Sequence, residues 1–219
     1  MKKVLVFNGS PRPTGNTTHL LKAFVSGLED KGVVPEIFHP YRLNIKECTG
    51  CLRCNVLKRC SLREDDWEDL SKKIVESEVL VFGSPIYFHH VSAQVKKIID
   101  RFRSFVHVQL TEGGLKHTPH TEWNKDFVLL LSLGSSDNAD AQPVIDLFEY
   151  MVQILGKKNR LHIICANRLA VTKQLTLSKD ELKQLYPKLG LSGSLAEEDY
   201  KRNQDLLNQC FDLGKKLSQ

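Results

Sequence analysis

The fold is decided by the stretch Val4-Leu5-Val6-Phe7-Asn8-Gly9-Ser10-Pro11-Arg12-Pro13-Thr14-Gly15-Asn16-Thr17-Thr18. Its apolar start predicts a buried strand, and the glycine- and proline-containing part that follows predicts a turn. Beyond the turn, apolar residues recur at helical spacing from Leu20 to Leu28, and Lys31-Gly32 ends this helix. A strand, a turn and a helix in this order are typical of the first unit of an α/β protein.

The same unit recurs downstream in the chain. Further strands are predicted at 36–38, 79–83, 127–133 and 161–165, with helices between them and two more helices after Ser178. The polar stretch 107–125 has no clear period and is predicted to be a long insertion between a helix and a strand. The alternation predicts a doubly wound, five-stranded parallel sheet with helices on both faces, formed by a single domain over 1–219.

Composition excludes several classes of protein. The 219 residues are 41% hydrophobic and 26% charged, and the longest apolar runs, such as Val128 to Leu133, are too short to span a membrane. The net charge of +5 is mild, and the basic residues are scattered rather than gathered into one stripe. We therefore expect neither a membrane nor a nucleic acid as partner.

The first turn has the composition of a phosphate site. Free amides at a helix N-terminus favour an anion, Ser10, Thr17 and Thr18 supply hydroxyls, and Arg12 supplies a positive charge. The turn lacks the lysine of a nucleotide-binding P-loop and the G-x-G-x-x-G of a dinucleotide fingerprint. The alternative is a capped helix preceded by an ordinary surface turn.

Two later turns leave strands at the same predicted edge, where open parallel sheets bind ligands. Pro85-Ile86-Tyr87-Phe88-His89-His90 places aromatic side chains there, which suits the face of a flat heteroaromatic ring. The alternative is that Tyr87 and Phe88 pack beneath the next helix. The turn from Ser132 to Ser136 offers small residues and amides, and is by itself a weak signal.

Four cysteines form the second notable feature, at the spacing C-x2-C-x2-C-x5-C: Cys48, Cys51, Cys54 and Cys60. Nothing N-terminal resembles a secretory signal, so a reduced thiolate site in a cytoplasmic protein is a better interpretation than disulfides. Cys165 and Cys210 lie far away in sequence and are interpreted as buried small hydrophobic residues.

Three consecutive thiolates at this spacing favour a cubane iron-sulfur cluster, because zinc usually takes two separated cysteine pairs. Zinc and four reduced thiols that bind nothing stay open as alternatives. His117 and His120 have a separation that would suit a metal, but we interpret them as loop residues.

Three motifs together resemble the flavodoxin-like NADPH-dependent FMN reductases: Gly9-Ser10-Pro11-Arg12 with Gly15-Asn16-Thr17, then Gly83-Ser84-Pro85-Ile86-Tyr87, then Lys97-Ile98-Ile99-Asp100-Arg101. The cysteine loop, 46–64, is similar to that of the iron-sulfur flavoproteins within this family. The resemblance implies one FMN and one [4Fe-4S] cluster per subunit, the latter held by the four cysteines. The resemblance covers about the first 135 residues and fades afterward.

The resemblance also implies roles for individual residues. The FMN phosphate would be held by Ser10, Arg12, Asn16, Thr17 and Thr18. The isoalloxazine ring would be lined by Pro85, Ile86, Tyr87, Phe88 and His89, with Gly134 and Ser135 nearby. Proteins of this group often form dimers or tetramers in which a neighbouring subunit completes the flavin pocket, and the 107–125 insertion would suit that contact.

These observations predict an FMN-dependent oxidoreductase that moves electrons between NAD(P)H or ferredoxin and a small acceptor, such as a quinone or a flavin. No catalytic acid, base or nucleophile is expected, because the flavin carries the chemistry. Since the cysteine loop leaves the second strand, the cluster is expected beside the flavin. The alternatives are a cluster-free FMN, quinone or azo reductase that uses NAD(P)H, and a flavodoxin-like electron carrier or redox sensor without turnover.

Overall fold

A computed structural model describes residues 2–219. Five parallel strands form the central sheet in the order β2-β1-β3-β7-β8, which is the predicted doubly wound arrangement. A short strand, β4, pairs antiparallel with the end of β3, and β5 and β6 form a separate two-stranded sheet. The strands are β1 Val4–Asn8, β2 Glu36–Phe38, β3 Val79–Tyr87, β4 His90–Val91, β5 Val106–Thr111, β6 Gly114–Pro119, β7 Asp126–Ser132 and β8 Arg160–Ala166.

Helices follow the strands as the apolar periods predict. The α-helices are α1 Asn16–Glu29, α2 Cys54–Leu57, α3 Trp67–Glu76, α4 Ala93–Arg101, α5 Gln142–Leu155, α6 Lys179–Leu185 and α7 Leu195–Leu217. Short 3-10 turns lie at Pro40–Arg42, Phe102–Phe105, Asn138–Ala141, Gln174–Thr176 and Tyr186–Leu189. None of the described helices combines the length and the apolar character that crossing a membrane requires.

Two apolar clusters cover the two faces of the sheet, which confirms the predicted layers. On one face, α1 and α7 pack against the sheet through residues such as Phe24, Leu28 and Leu206. On the other face, α3, α4 and α5 contribute residues such as Ile74 and Phe148. Because side chains alternate between the faces of a strand, each buried strand supplies both clusters.

Helices α1 and α7 approach each other unusually closely. A Cβ atom on Gly27 would lie 2.0 Å from the carbonyl oxygen of Phe211, and one on Gly214 would lie 2.1 Å from that of Phe24. Only glycine leaves room for backbones at this distance. The helix that begins at the first turn is thereby fixed against the C-terminal helix.

The structure differs from the sequence-based predictions in two places. The segment within 107–125 contains a regular β-hairpin, with Val106 paired to Pro119 and Thr111 to Gly114. Strand β3 continues through the predicted turn to Tyr87, because its end gains a partner on each side: β7 on one and β4 on the other. Apart from these two places, element boundaries agree with the predictions to within a few residues.

Candidate functional site

Three turns meet at the carboxyl edge of the parallel sheet. The amide of Gly9 donates to the carbonyl of Gly83 at 2.8 Å, and the Ser92 hydroxyl donates to the carbonyl of Gly9 at 2.9 Å. The hydroxyls of Thr17 and Ser132 lie 2.7 Å apart. The turns after β1, β3 and β7 are therefore tied to one another directly.

Side-chain bonds fix the shape of the first turn. The carbonyl of Arg12 accepts from the hydroxyls of Ser10 at 3.2 Å and Thr18 at 3.1 Å. Asn8, which the sequence analysis missed, donates to the Thr18 hydroxyl at 3.2 Å and accepts from the Ser10 amide at 3.1 Å. Asn8, Ser10 and Thr18 are all buried, so the turn is held from inside. The only sequence signal for Asn8 is that it is a polar residue at the end of an apolar strand.

The first turn of α1 presents unused hydrogen-bond donors. Within residues 2–219, the backbone amides of Asn16, Thr17 and Thr18 have no hydrogen-bond acceptor. A helix N-terminus with free amides carries a partial positive charge, and Arg12 adds a full one nearby. Gly15 allows the turn to close tightly, because a Cβ atom there would lie 2.7 Å from the Ser10 hydroxyl. The arrangement fits a phosphate group.

Two predicted phosphate residues offer their amides rather than their side chains. The side chain of Asn16 donates to the carbonyl of Val171 at 2.8 Å and accepts from the amide of Leu175 at 3.0 Å. The Thr17 hydroxyl is engaged by Ser132. The sequence pattern did not indicate that the segment after β8 reaches this turn.

The tip of the β3–β4 hairpin carries exposed aromatic residues in a strained turn. Tyr87 pairs with His90, so Phe88 and His89 form the two-residue connection, with φ of +49° and +60°. Glycine or asparagine usually occupies such positions, and bulky residues there point to a functional constraint. Tyr87 is half exposed and Phe88 is fully exposed, which excludes packing beneath the next helix for Phe88. Pro85 and Ile86 are partly buried behind them.

The third turn lies beside the segment that follows β8. The carbonyl of Ser135 accepts a hydrogen bond from the amide of Arg168 at 2.7 Å. The hydroxyl of Ser135 accepts one from the amide of Asp137. The nearest atom to a Cβ built on Gly134 is the Cα of Ala170, at 3.9 Å. Both predicted residues, Gly134 and Ser135, thus lie at the sheet edge.

All four cysteines of the loop line one small recess with a cavity volume of about 20 Å³. Arg101, Arg103 and Ser104 from the end of α4 and the following turn complete its wall. The Cys54 thiol is buried and contacts Arg103 at 3.6 Å, whereas the Cys51 thiol is exposed and lies 3.4 Å from the Ser61 hydroxyl. Cys48 and Cys60 are intermediate in exposure.

A buried arginine closes the neck of the cysteine loop. The guanidinium of Arg101 donates to the carboxylate of Asp65 at 2.5 Å and to the carbonyl of Lys46 at 2.6 Å. Both charged side chains are fully buried, and the Arg101 guanidinium lies over the ring of Trp67. The two ends of the loop therefore meet at one residue of α4.

The recess borders the end of α4, whereas the three turns meet near the start of this helix. Ser92, at the start of α4, contacts Gly9, whereas Arg101, at its end, borders the recess. The nine residues of α4 span about 14 Å. The loop leaves β2 at the carboxyl edge but then runs back along α4, because Arg101 binds both of its ends. Cys48 also borders a groove with Ala93 and Gln94 near the start of α4, so the neighbourhood of the cysteines and the three turns stays a prediction.

The thiols differ in their ionisation. Hydrogen bonds from the Ser61 hydroxyl and the Arg53 backbone lower the pKa of Cys51 to about 7, so part of it is thiolate at neutral pH. Burial raises the pKa of Cys54, an effect that the charge of Arg103 partly offsets. Across residues 2–219, no three His, Cys, Asp or Glu side chains are arranged to hold a single metal ion. The four thiols instead line one small recess.

The remaining cysteines and histidines have structural surroundings. Cys210 is buried in the α1–α7 face, and burial raises the pKa of Cys165 in β8. His117, in the β5–β6 hairpin, contacts the hydroxyl of Tyr150 at 2.8 Å. The prediction of a buried residue is confirmed for Cys210, whereas Cys165 is only partly buried, and His117 lies in strand β6 rather than in a loop.

The strand order, the anion-binding turn after β1 and the aromatic hairpin after β3 define a flavodoxin-like flavoprotein class. The chain matches the NADPH-dependent FMN reductase family over residues 2–164. That match covers most of the sequence, so the chain belongs to this family.

Relatives with known descriptions agree with this assignment. An iron-sulfur flavoprotein of Methanocaldococcus jannaschii is 37% identical over 101 residues, which are 46% of this chain and 52% of the relative. An iron-sulfur flavoprotein of Archaeoglobus fulgidus is 35% identical over 105 residues, which are 48% of this chain and 47% of the relative. The chain thus spans about half the length of these relatives.

Solved structures share the fold over the whole chain. An azoreductase from Bacillus anthracis superposes with a TM-score of 0.64 and 16% identity, covering 99% of this chain and 100% of that one. An NAD(P)H:quinone oxidoreductase from Methanothermobacter marburgensis gives a TM-score of 0.63 and 17% identity, covering 99% and 98%. At this level of identity, the likeness establishes the fold.

Proposed function

We propose that this protein is an FMN-dependent oxidoreductase that transfers electrons from NAD(P)H to a small acceptor such as a quinone or a flavin. The observation that carries the proposal is the convergence, at one sheet edge, of a turn with three free amides and a hairpin with an exposed aromatic tip. Family membership supports FMN as the cofactor and NADPH as a reductant.

The residues of the three turns fit FMN in charge and shape. The phosphate would be held by Ser10, Arg12, Asn16, Thr17 and Thr18, chiefly through amides and the Arg12 guanidinium. The ring would lie against Pro85, Ile86, Tyr87, Phe88 and His89, with Gly134 and Ser135 at its edge. When bound, FMN supplies both one- and two-electron chemistry.

The protein's own residues bind and orient rather than react. The hydrogen bonds from Asn8, Ser10 and Thr18 hold the phosphate turn in one shape before any ligand arrives. The exposed Phe88 leaves apolar surface for a flat acceptor. His89 lies 3.6 Å from Asp140, which orients its imidazole at the same edge. We assign no catalytic residue.

Titration with FMN and riboflavin, followed by NADPH oxidation with benzoquinone as acceptor, tests the proposal. We expect FMN to bind and NADPH oxidation to depend on both FMN and the quinone. The variant Arg12→Gln should weaken FMN about tenfold, whereas Arg63→Gln, whose partner is Glu68 outside the turn, should not. Absence of FMN binding by the native protein would overturn the proposal.

A non-enzymatic carrier remains the second candidate function. An exposed flavin edge without a closed pocket also suits an electron carrier that exchanges with a protein such as ferredoxin. Reduction of the bound flavin by ferredoxin without any NADPH turnover would favour the carrier. Steady turnover with NADPH and quinone would favour the enzyme.

We propose further that the four cysteines hold a [4Fe-4S] cluster. Two observations support it: the thiols line one recess, and two relatives carry the description iron-sulfur flavoprotein. The guanidinium groups of Arg101 and Arg103 in the wall would offset the negative charge of such a centre. The alternatives are zinc and unliganded thiols.

Anaerobic purification with analysis of iron, sulfide and zinc tests the cluster. We expect equal amounts of iron and sulfide in the native protein, loss of both in Cys54→Ser, and retention in Cys165→Ser, the matched cysteine outside the loop. Zinc in place of iron, or no metal at all, would sink the cluster and favour the cluster-free reductase.

We also propose a homodimer or homotetramer. A groove between α4, α5 and the β5–β6 hairpin is lined by apolar residues such as Phe102, Leu147 and Ile154. The hairpin exposes Leu110 and Leu115, which a neighbouring subunit would cover. Light scattering of native protein and of the Leu110→Ser, Leu115→Ser double variant checks this. A cytoplasmic location stays a prediction.

A further inference from the structure

The segment that follows β8, residues 167–175, reaches from its own strand to the first turn of α1. Arg12 donates to the Thr172 hydroxyl at 3.3 Å. The Asn16 side chain binds the carbonyls of Val171 and Leu169 and the amide of Leu175. All of this segment lies beyond the part of the chain that matches the family, 2–164.

The segment has a rigid internal structure. Gln174 is buried, donates to the carbonyl of Arg168 at 2.6 Å and accepts from the amide of Val171 at 3.2 Å. Arg168 pairs at 2.9 Å with Asp199, whose carboxylate is completely buried and also binds Arg202. These bonds anchor the segment to α7.

Positive charge gathers where the segment meets α1. Lys173 is exposed and has φ of +66°, a backbone conformation that lysine rarely adopts. Burial lowers the pKa of His19, and the charges of Lys22 and Lys173 lower it further. Lys173 follows Thr172, whose hydroxyl accepts from Arg12 at 3.3 Å, so it lies beside the first turn. Nothing acidic from residues 2–219 forms an ion pair with Lys22, Lys173 or Arg12.

We propose that residues 168–175 form the outer wall of the flavin phosphate site, with Lys173 as a second cation for the phosphate and Asn16 as the positioning residue that holds this wall. The inference rests on the proposed function. It gives the C-terminal part of the chain a role in discriminating phosphorylated flavins from riboflavin, because riboflavin has no group for the wall to bind.

Flavin titrations of the full chain at low and high salt test the wall. Lys173→Gln should weaken FMN binding about five- to tenfold at low salt and less at high salt, because added ions screen the charge. Riboflavin binding should not change. Lys173→Arg should restore FMN affinity, and Lys188→Gln, an exposed lysine elsewhere in the C-terminal part, should behave like the native protein.

The positioning role of Asn16 has its own variant. Asn16→Ala keeps the backbone amide but releases the segment, so FMN affinity should fall while riboflavin affinity is kept. If Asn16→Ala does not fold, Lys173→Gln still decides. Unchanged FMN affinity in Lys173→Gln, or an equal loss of affinity for FMN and riboflavin, would contradict the proposed wall and leave the proposed function standing. A native protein that binds no FMN would overturn the proposed function and the wall together.

Discussion

The phosphate turn and the cysteine loop are both candidate cofactor sites, but they are built in opposite ways. In the phosphate turn, Asn8, Ser10, Thr17 and Thr18 are buried and bound to one another or to neighbouring strands. In the cysteine loop, strong contacts lie at the neck, where Arg101 binds Asp65 and Lys46, and at Asn55, whose side chain exchanges two hydrogen bonds with the backbone of Val108. The thiols themselves have few contacts.

The difference teaches how each site meets its ligand. The phosphate turn is formed by the fold and needs no ligand for its shape, which is the arrangement that binds with little loss of conformational freedom. The cysteine loop is fixed at its neck and at Asn55, but Cys51 is exposed and Cys48 and Cys60 are only partly buried, so a metal centre would add order to the thiols. Variants in the two regions should therefore differ in stability and in their response to metal.

Among the variants compared, removal of the Arg101 guanidinium should lower the free energy of unfolding the most. Arg101→Met leaves the buried carboxylate of Asp65 without its partner, which typically costs about 3–5 kcal/mol of unfolding free energy. Lys96→Met, in the same helix, removes an exposed pair with Asp100 and should cost less than about 1 kcal/mol. Urea unfolding of both variants gives the comparison. Similar costs would show that the neck does not anchor the loop.

Lowering the pH should weaken the Arg101–Asp65 pair at the same neck and so lower the free energy of unfolding. Burial works against the charge of Asp65, but hydrogen bonds from Arg101 and the Lys46 amide outweigh it and hold its pKa below the ordinary value. At a pH between the pKa of Asp65 in the folded protein and its higher pKa in the unfolded chain, only the unfolded chain protonates this carboxylate. The free energy of unfolding therefore falls as pH drops below about 4.

Unfolding free energies of the native protein and Asp65→Asn between pH 5 and pH 3 measure this contribution. The native protein should lose stability more steeply, by at most about 1.4 kcal/mol per pH unit, which is the value for one proton. Parallel profiles would mean that Asp65 titrates alike in both states.

A smaller effect is expected at the phosphate turn. Thr17→Val leaves the buried hydroxyl of Ser132 without its partner and should cost about 1–2 kcal/mol. Thr14→Val, at an exposed position of the same turn, should stay within about 0.5 kcal/mol. Thermal or urea unfolding without flavin checks both. A Thr17→Val variant as stable as the native protein would contradict a ligand-independent turn.

The smallest effect should come from the exposed thiol. In metal-free protein, Cys51→Ser should change the unfolding free energy by less than about 0.5 kcal/mol, because the side chain is exposed. The same variant should lose iron when it is purified anaerobically. A large cost without metal would indicate that the loop is ordered on its own, like the phosphate turn.

Much of the fold was predictable because its strands are short apolar runs between turn residues. Val4 to Phe7 and Phe127 to Leu131 are buried on both faces, so their pattern is continuous and easily identified. The β5–β6 hairpin was missed although Val106, Val108 and Leu110 alternate with polar residues, because Leu110 and Leu115 are exposed and β6 is mostly polar. Periodicity shows a strand only where one face is buried.

Site prediction was limited by contacts between distant residues. Arg101 has the sequence position of a surface arginine at a helix end, and only the fold shows that Asp65 meets it in the core. Likewise, the Asn16 side chain has the right position for a phosphate ligand, but Val171 and Leu175 occupy it. Residue type and spacing identify the turn, whereas the direction of each side chain depends on segments far along the chain.

The close approach of α1 and α7 through Gly27 and Gly214 has a consequence for biosynthesis. Helix α1 leaves the ribosome early, but the helix that covers it is made last among the described elements. Contacts between such distant segments form slowly, and domains complete their folding as whole units. The side of α1 that packs on α7 therefore stays uncovered during translation. We expect the flavin site at the start of α1 to become able to bind only after synthesis has passed Leu217.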